Sequence, residues 1–208
     1  DVYKRQVWDK SEKIKAYMQR EGLESLSDVQ MRFTNEMSQF IRSKGRRMMG
    51  WNDILGKKLH NYQQEVDAAE GREKLAPGCI VHFWKGDIAL MTQAAEQDFD
   101  IVNSYHPFTY LDYSYKSIPL QKAYGFDPVP AELDEKYHDK VLGLGCQMWS
   151  EWIPTVARLH EQTFPRIAAY SEVGWTAAER INYDDFLRRL ADIKQRWDIQ
   201  GIGYANVP

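Results

Sequence analysis

The chain has 208 residues, enough to bury one sizeable hydrophobic core. Apolar residues make up 43% and charged residues 27%, and a net charge of −3 lacks the basic excess of a nucleic-acid-binding protein. No apolar run reaches membrane-span length, and no signal-peptide pattern opens the chain.

Residues 8–22 are charged and helix-prone, ending near Gly22. Residues 27–44 read as an amphipathic helix, with Val29, Phe33, Met37, Phe40 and Ile41 at helical spacing and Gly45 as its stop. Arg47–Trp51 follows as a short buried strand. Residues 56–77 are polar, a loop with some helix. Cys79–Trp84 is a second buried strand. A helix runs from Gly86-Asp87 to Gln97, with Asp87 as its N-cap. Asp100–Ser104 is a third strand. Residues 105–139 are rich in Tyr and Pro and lack either periodicity, and loops of that length are usually functional. Val141–Trp149 is a fourth strand. Pro165 opens a helix over 165–178. Asp184 caps a last helix with Phe186, Leu190, Ile193 and Trp197 on one face.

Apolar, non-alternating strands that alternate with helices predict an α/β protein with parallel strands covered by helices. Seven Trp and twelve Tyr are many for this length, and they gather where strands end. Trp51 is followed by Asn52-Asp53, Trp84 by Lys85-Gly86, Tyr110 by Leu111-Asp112, and Trp149 by Ser150-Glu151. Flat apolar walls beside carboxylate acceptors suit a sugar, which stacks a C–H face on a ring and donates its hydroxyls. Both a (β/α)₈ barrel and a doubly wound sheet bind ligands at strand C-termini. No Gly-x-Gly-x-x-Gly or P-loop pattern follows a strand, and no cofactor is implied. Four strands are countable and a barrel needs eight, which leaves a small open α/β domain or half a barrel. Cys79 and Cys146 give no disulfide framework and no metal spacing; both read as buried small hydrophobes.

Five strings in order resemble the C-terminal half of the catalytic barrel of glycoside hydrolase family 20, the β-N-acetylhexosaminidases. Gly45-Arg46-Arg47-Met48-Met49-Gly50-Trp51-Asn52-Asp53-Ile54 is similar to the family's fifth strand, and Val81-His82-Phe83-Trp84-Lys85-Gly86 to its sixth. Tyr110-Leu111-Asp112-Tyr113 resembles the motif after the seventh, and Gln147-Met148-Trp149-Ser150-Glu151 the Trp-x-Glu of the eighth. Phe164-Pro165-Arg166 with Ser171-Glu172-Val173-Gly174-Trp175 resembles the closing helix. The resemblance covers about Trp8 to Trp197, so residues 1–208 are expected to be strands five to eight of a TIM barrel with their helices.

The resemblance implies a retaining, substrate-assisted hydrolysis of terminal N-acetylglucosamine or N-acetylgalactosamine, outside the usual two-carboxylate scheme. Trp51, Trp84 and Trp149 would wall the acetamido pocket, the Tyr110 hydroxyl would bond the acetamido oxygen, and Asp112 and Glu151 would accept from sugar hydroxyls. The family's proton donor lies in a His-x-Gly-Gly-Asp-Glu string ending strand four, and no such string stands here. Counting back from Trp8 puts the pair at Asp1 and Val2, and Val2 cannot donate a proton. Residues 1–7 fit the family poorly and read as non-native. The chain is therefore expected to be inactive alone, with the missing first half of its barrel as partner. A periplasmic or secreted location would fit the family.

A catalytically silent carbohydrate-binding module on the same aromatic platform is the alternative. A different barrel glycosidase with a carboxylate pair would make Glu151 and Asp53 the suspects. Each Trp singly reads equally well as a core aromatic. Asp53 suits a helix-start or supporting carboxylate, Asp112 a turn residue, and Glu151 a loop cap. His82, inside a strand, reads as a buried, satisfied imidazole. Trp152, Trp175 and Trp197 read as packing residues.

Overall fold

A computed structural model describes residues 5–56, 59 and 71–207. The placement of the acid pair at Asp1 and Val2, and most of the loop predicted over 56–77, lie outside them. The chain divides into two compact units, one of residues 1–101 and 132–140 and the other of 102–131 and 141–208.

The first unit begins with α1 (Arg5–Asp9), α2 (Glu12–Glu21) and α3 (Leu26–Ser43). Gly22 ends α2 in the left-handed region at φ 66°, where glycine carries no Cβ penalty. A capping box starts α3: Ser25 Oγ accepts from Asp28 N at 3.1 Å, and Asp28 Oδ2 accepts from Ser25 N at 3.0 Å. The predicted apolar face of α3 is only partly used. Val29 is buried, but Phe33 and Phe40 are 58% and 57% exposed. The helix packs instead through Met31 and Ser38, whose hydroxyl meets the Cys79 thiol at 3.2 Å.

Strand β1 (Met49–Trp51) pairs in parallel with β2 (Ile80–Phe83), Met49 opposite Ile80 and Trp51 opposite His82. The expectation that β1 is buried is corrected: Met49 is half-exposed and no β1 residue is fully buried. β2 alternates, with Val81 and Phe83 buried and Ile80 and His82 half-buried, so it is not a run buried on both faces. Helix α4 (Ala89–Glu96) starts two residues later than predicted, although the Asp87 carboxylate still accepts from Ala89 N at 2.8 Å. It buries Met91, Ala94 and Ala95. The first half of β3 (Asp100–Asn103) completes the sheet of this unit, beside β2.

The second unit holds the other half of β3, with β4 (Val141–Leu144) beside it. The strand predicted to reach Trp149 stops at Leu144. Gly143 sits at φ 148°, outside the range of ordinary strand residues, and beyond Leu144 pairing shrinks to a parallel bridge between Tyr110 and Gln147. Two short helices, α5 (His106–Thr109) and α6 (Leu120–Tyr124), lie in the aperiodic stretch; one turn each is too short to imprint a period. Thr155 caps α7 (Val156–Thr163), accepting from Arg158 N at 3.1 Å. Helix α8 (Arg166–Trp175) starts after Pro165 as expected and ends three residues early. Asn182 caps α9 (Tyr183–Gln200), accepting from Asp185 N at 2.9 Å, and Asp184 falls in the first turn. Its Phe186, Leu190 and Trp197 join Ile118, Leu120, Tyr124, Ala169 and Tyr170 in the core. Trp152 and Trp175 do not pack: they are 78% and 93% exposed.

Bare Phe33, Phe40 and Trp175 rings favour association, because burying them removes apolar surface from water. The chain by itself is expected to elute from a sizing column ahead of a monomer. Phe40→Ser with Trp175→Ser is expected to shift it toward monomer; a sharp monomer peak for the parent would contradict the assignment.

Candidate active site

In the first unit, Trp51 ends β1 and Trp84 follows β2. Parallel register sets Trp51 beside His82, and the rings stack with centroids 4.3 Å apart and 16° between planes. Trp84 meets Trp51 edge to face at 6.2 Å and 72°. Trp84 Nε1 donates to Asp53 Oδ2 at 2.9 Å. Fully buried Asn52 ties the backbone beneath: its Nδ2 donates to Lys85 O at 2.8 Å, and its Oδ1 accepts from Trp84 N at 3.1 Å. The Lys85 ammonium lies 5.5 Å from the centroid of the Trp84 ring. Burial holds His82 below the usual imidazole pKa, favouring its neutral form.

In the second unit, Leu111 N donates to Gln147 O at 2.7 Å and Gln147 N to Thr109 O at 3.3 Å. These bonds zip the segment after β3 to the segment after β4. Buried Tyr110 consequently lies 6.4 Å, ring to ring, from Trp149, which is 41% exposed. His106 Nδ1 and the Tyr113 hydroxyl are 3.1 Å apart, and both rings pack edge-on against Tyr110. Glu151 is exposed on a short 3₁₀ turn, Ser150–Trp152.

Burial raises the Asp112 carboxyl above its ordinary value of 3.8; backbone N–H groups of Asp112 and Trp149 oppose this, Glu151 adds to it and Arg166 opposes it. Among the described residues, Asp112 Oδ1 is buried with no hydrogen-bond partner.

The loop carrying Asp112 hangs on Arg166. This guanidinium is fully buried at the start of α8 and donates to four backbone carbonyls: Leu111 at 2.5 Å, Gln162 at 2.6 Å, Tyr113 at 2.9 Å and Ile118 at 3.3 Å. Its carbon lies 4.2 Å from the Tyr115 ring centroid. Buried Gln162 adds bonds to Asp112 O at 2.9 Å and Tyr113 O at 3.2 Å.

The two units thus each hold part of the predicted set: Trp51 and Trp84 in one, Tyr110, Asp112, Trp149 and Glu151 in the other. Sequence reasoning missed the roles of His82, Asn52, Gln162 and His106, and saw Arg166 only inside a motif. A buried polar side chain leaves no periodic trace, and Gln162 and Arg166 sit on two different helices, on either side of Phe164-Pro165. Among the described residues no group of His, Cys, Asp and Glu is placed to hold a metal ion.

Parallel strands with helices, and aromatic rings beside carboxylates after the strands, define an α/β protein with a candidate ligand site at its strand ends. The catalytic-domain model of glycosyl hydrolase family 20 matches residues 1–178, and the chain belongs to that family. It is 29% identical over 201 residues to a β-hexosaminidase of Porphyromonas gingivalis, covering 90% of this chain and 23% of that protein. A β-N-acetylhexosaminidase of Cellulomonas fimi is 26% identical over 197 residues, covering 87% and 36%. The structure of an exo-β-N-acetylglucosaminidase of Vibrio harveyi in complex with N-acetylglucosamine superposes with a TM-score of 0.76 at 26% identity, covering 96% of this chain and 31% of that one. The chain spans between 23% and 36% of the length of these two curated relatives.

Arg166→Met is expected to strand the four carbonyls and cost on the order of 3–5 kcal/mol, read by denaturant unfolding. Asp112 carries a pH signature. With its carboxyl raised in the fold, its contribution is full below 3.8 and is lost as pH rises through the raised value. Asp112→Asn removes that loss. The variant is expected to melt above the parent at pH 7, and the gap should close toward pH 3.

Proposed function

We propose that this chain forms strands five to eight, with their helices, of a family 20 barrel that removes terminal N-acetylglucosamine or N-acetylgalactosamine from glycans with retention. One observation carries the reading: Asp112 presents a buried, unpartnered acceptor oxygen in the segment that also bears Tyr110, whose ring neighbours Trp149. A hydroxyl donor beside a stacking face supplies what that oxygen lacks.

In this reading the carbonyl oxygen of the substrate's own 2-acetamido group attacks the anomeric carbon. The bond to the leaving oxygen breaks, and an oxazolinium forms. Water then opens it on the same face that the leaving group left. Trp51, Trp84 and Trp149 fold the acetamido group under the ring, which holds nucleophile and electrophile close. The Tyr110 hydroxyl donates to the acetamido oxygen as charge moves through it. Asp112 and Glu151 accept from sugar hydroxyls. The leaving oxygen is protonated from the Asp-Glu string of the other barrel half, so this chain alone turns nothing over. The partner that supplies that string is the first half of the same barrel. The rival reading, a silent carbohydrate-binding module, keeps the platform and needs no acid.

The test joins this chain to a first barrel half that carries the acid string. On a chromogenic N-acetylglucosaminide, Tyr110→Phe is expected to lose roughly 10²–10³-fold in kcat. Asp112→Asn and Glu151→Gln are expected to raise KM. The corresponding plain glucoside should fail throughout, because it lacks the nucleophile. Unchanged turnover in Tyr110→Phe refutes its role; equal turnover of the glucoside refutes substrate assistance. A joined barrel that binds N-acetylglucosamine without hydrolysing it favours the module.

A further inference from the structure

The Trp51–Trp84 corner is built from two indoles with different supports. Trp51 is set by strand register and by the face of His82. Trp84 follows the end of β2, and its plane needs a second point of attachment. Fully buried Asn52 fixes the Trp84 backbone through its N–H, but a backbone bond leaves the side-chain torsions open. The bond from Trp84 Nε1 to Asp53 Oδ2, at 2.9 Å, restrains them, and it is charge-assisted. Asn52 and Asp53 are neighbours on the 3₁₀ turn Asn52–Leu55, which follows β1 directly. One short turn therefore grips Trp84 twice, by backbone and by ring.

We infer that Asp53 is a positioning residue: it sets the angle of the Trp84 indole against Trp51 and thereby tunes the corner for a flat, planar substituent such as an acetamido group. The inference rests on the sugar-site reading above and adds a residue that touches no sugar in it. It separates Asp53 from a reacting carboxylate, because an oxygen of its carboxylate is engaged by an indole N–H. An Asn side chain in its place keeps a neutral carbonyl acceptor, whereas Ala keeps none.

The experiment uses this chain, ¹⁵N-labelled at tryptophan, with the Trp84 indole signal assigned by its loss in Trp84→Phe. In the parent, the Trp84 Nε1 proton is expected to exchange slowly and to lie downfield. In Asp53→Ala it should move upfield and exchange faster, while the Trp197 indole, in the other unit, stays put as the check on folding. Asp53→Asn should recover part of both properties. Titration with N-acetylglucosamine and with glucose then reads the corner. The parent should prefer N-acetylglucosamine, and Asp53→Ala should lose that preference by roughly tenfold, with the glucose curve unchanged and Asp53→Asn between. A Trp84 indole indifferent to Asp53→Ala, or an undiminished preference in that variant, overturns the inference. An indole that moves as expected in a parent that binds both sugars alike upholds the Asp53–Trp84 grip but overturns its tuning for the acetamido group, and with it the sugar-site reading.

Discussion

Parallel pairing constrains everything that follows in this chain. Two parallel neighbours need a crossover between them, so the residues after their C-terminal ends emerge on the same side. Within the first unit this sets Trp51 opposite His82 and delivers Trp84 one residue past the paired strand. Within the second, the Tyr110–Gln147 bridge extends parallel pairing beyond the regular strands, and Trp149 follows two residues later. Rings that are distant in sequence become neighbours through backbone hydrogen bonds, without any contact specific to aromatic side chains.

The second constraint is the cost of holding an acidic group half-buried. Asp112 is pushed toward its neutral form by burial, and the nearby Glu151 charge adds to that push. The fold counters with Arg166, whose charge favours the carboxylate while its donors clamp the loop backbone at Leu111, Tyr113 and Ile118. A buried guanidinium is itself expensive unless its donors are satisfied, and here carbonyls rather than a carboxylate do most of that work. Arg166 therefore holds the loop's shape without neutralising Asp112. On the sugar-site proposal, an acceptor left poorly satisfied in the fold is held for a hydroxyl donor, at some cost in stability.

Much of the fold was legible because strands and long helices imprint a period. The four strands, α3 and α9 fall within a few residues of their expected places, and the buried face of α9 is the one that spacing indicates. Strand ends were less legible. Gly143 and the drift into an isolated bridge shortened β4, and no local residue preference announces such an ending. Caps went partly astray because several residues near a helix start are competent, and geometry selects among them: Asn182 wins over Asp184, and Asp87 caps from outside its helix. The rings of the candidate site were legible as motifs. Their supports, His82, Asn52 and Gln162, were not, because each acts through a neighbour many positions away.

Tryptophan exposure shows why aromatic count alone misleads. Trp197 is buried in a helix-packed core and Trp175 stands almost bare at the end of α8, and both lie in helices rather than after a strand. Trp51, Trp84 and Trp149 share a different signature: partial exposure, a place at or beyond the C-terminal end of a strand, and an edge-on or tilted ring neighbour. A ring that is wholly buried cannot meet a ligand, and one that is wholly free has no fixed orientation to offer. Intermediate burial with a polar handle tied down, as Trp84 has through Asp53, combines a flat apolar face with a defined plane. At Trp84 that combination, rather than the abundance of tryptophan, is what supports the sugar-site proposal.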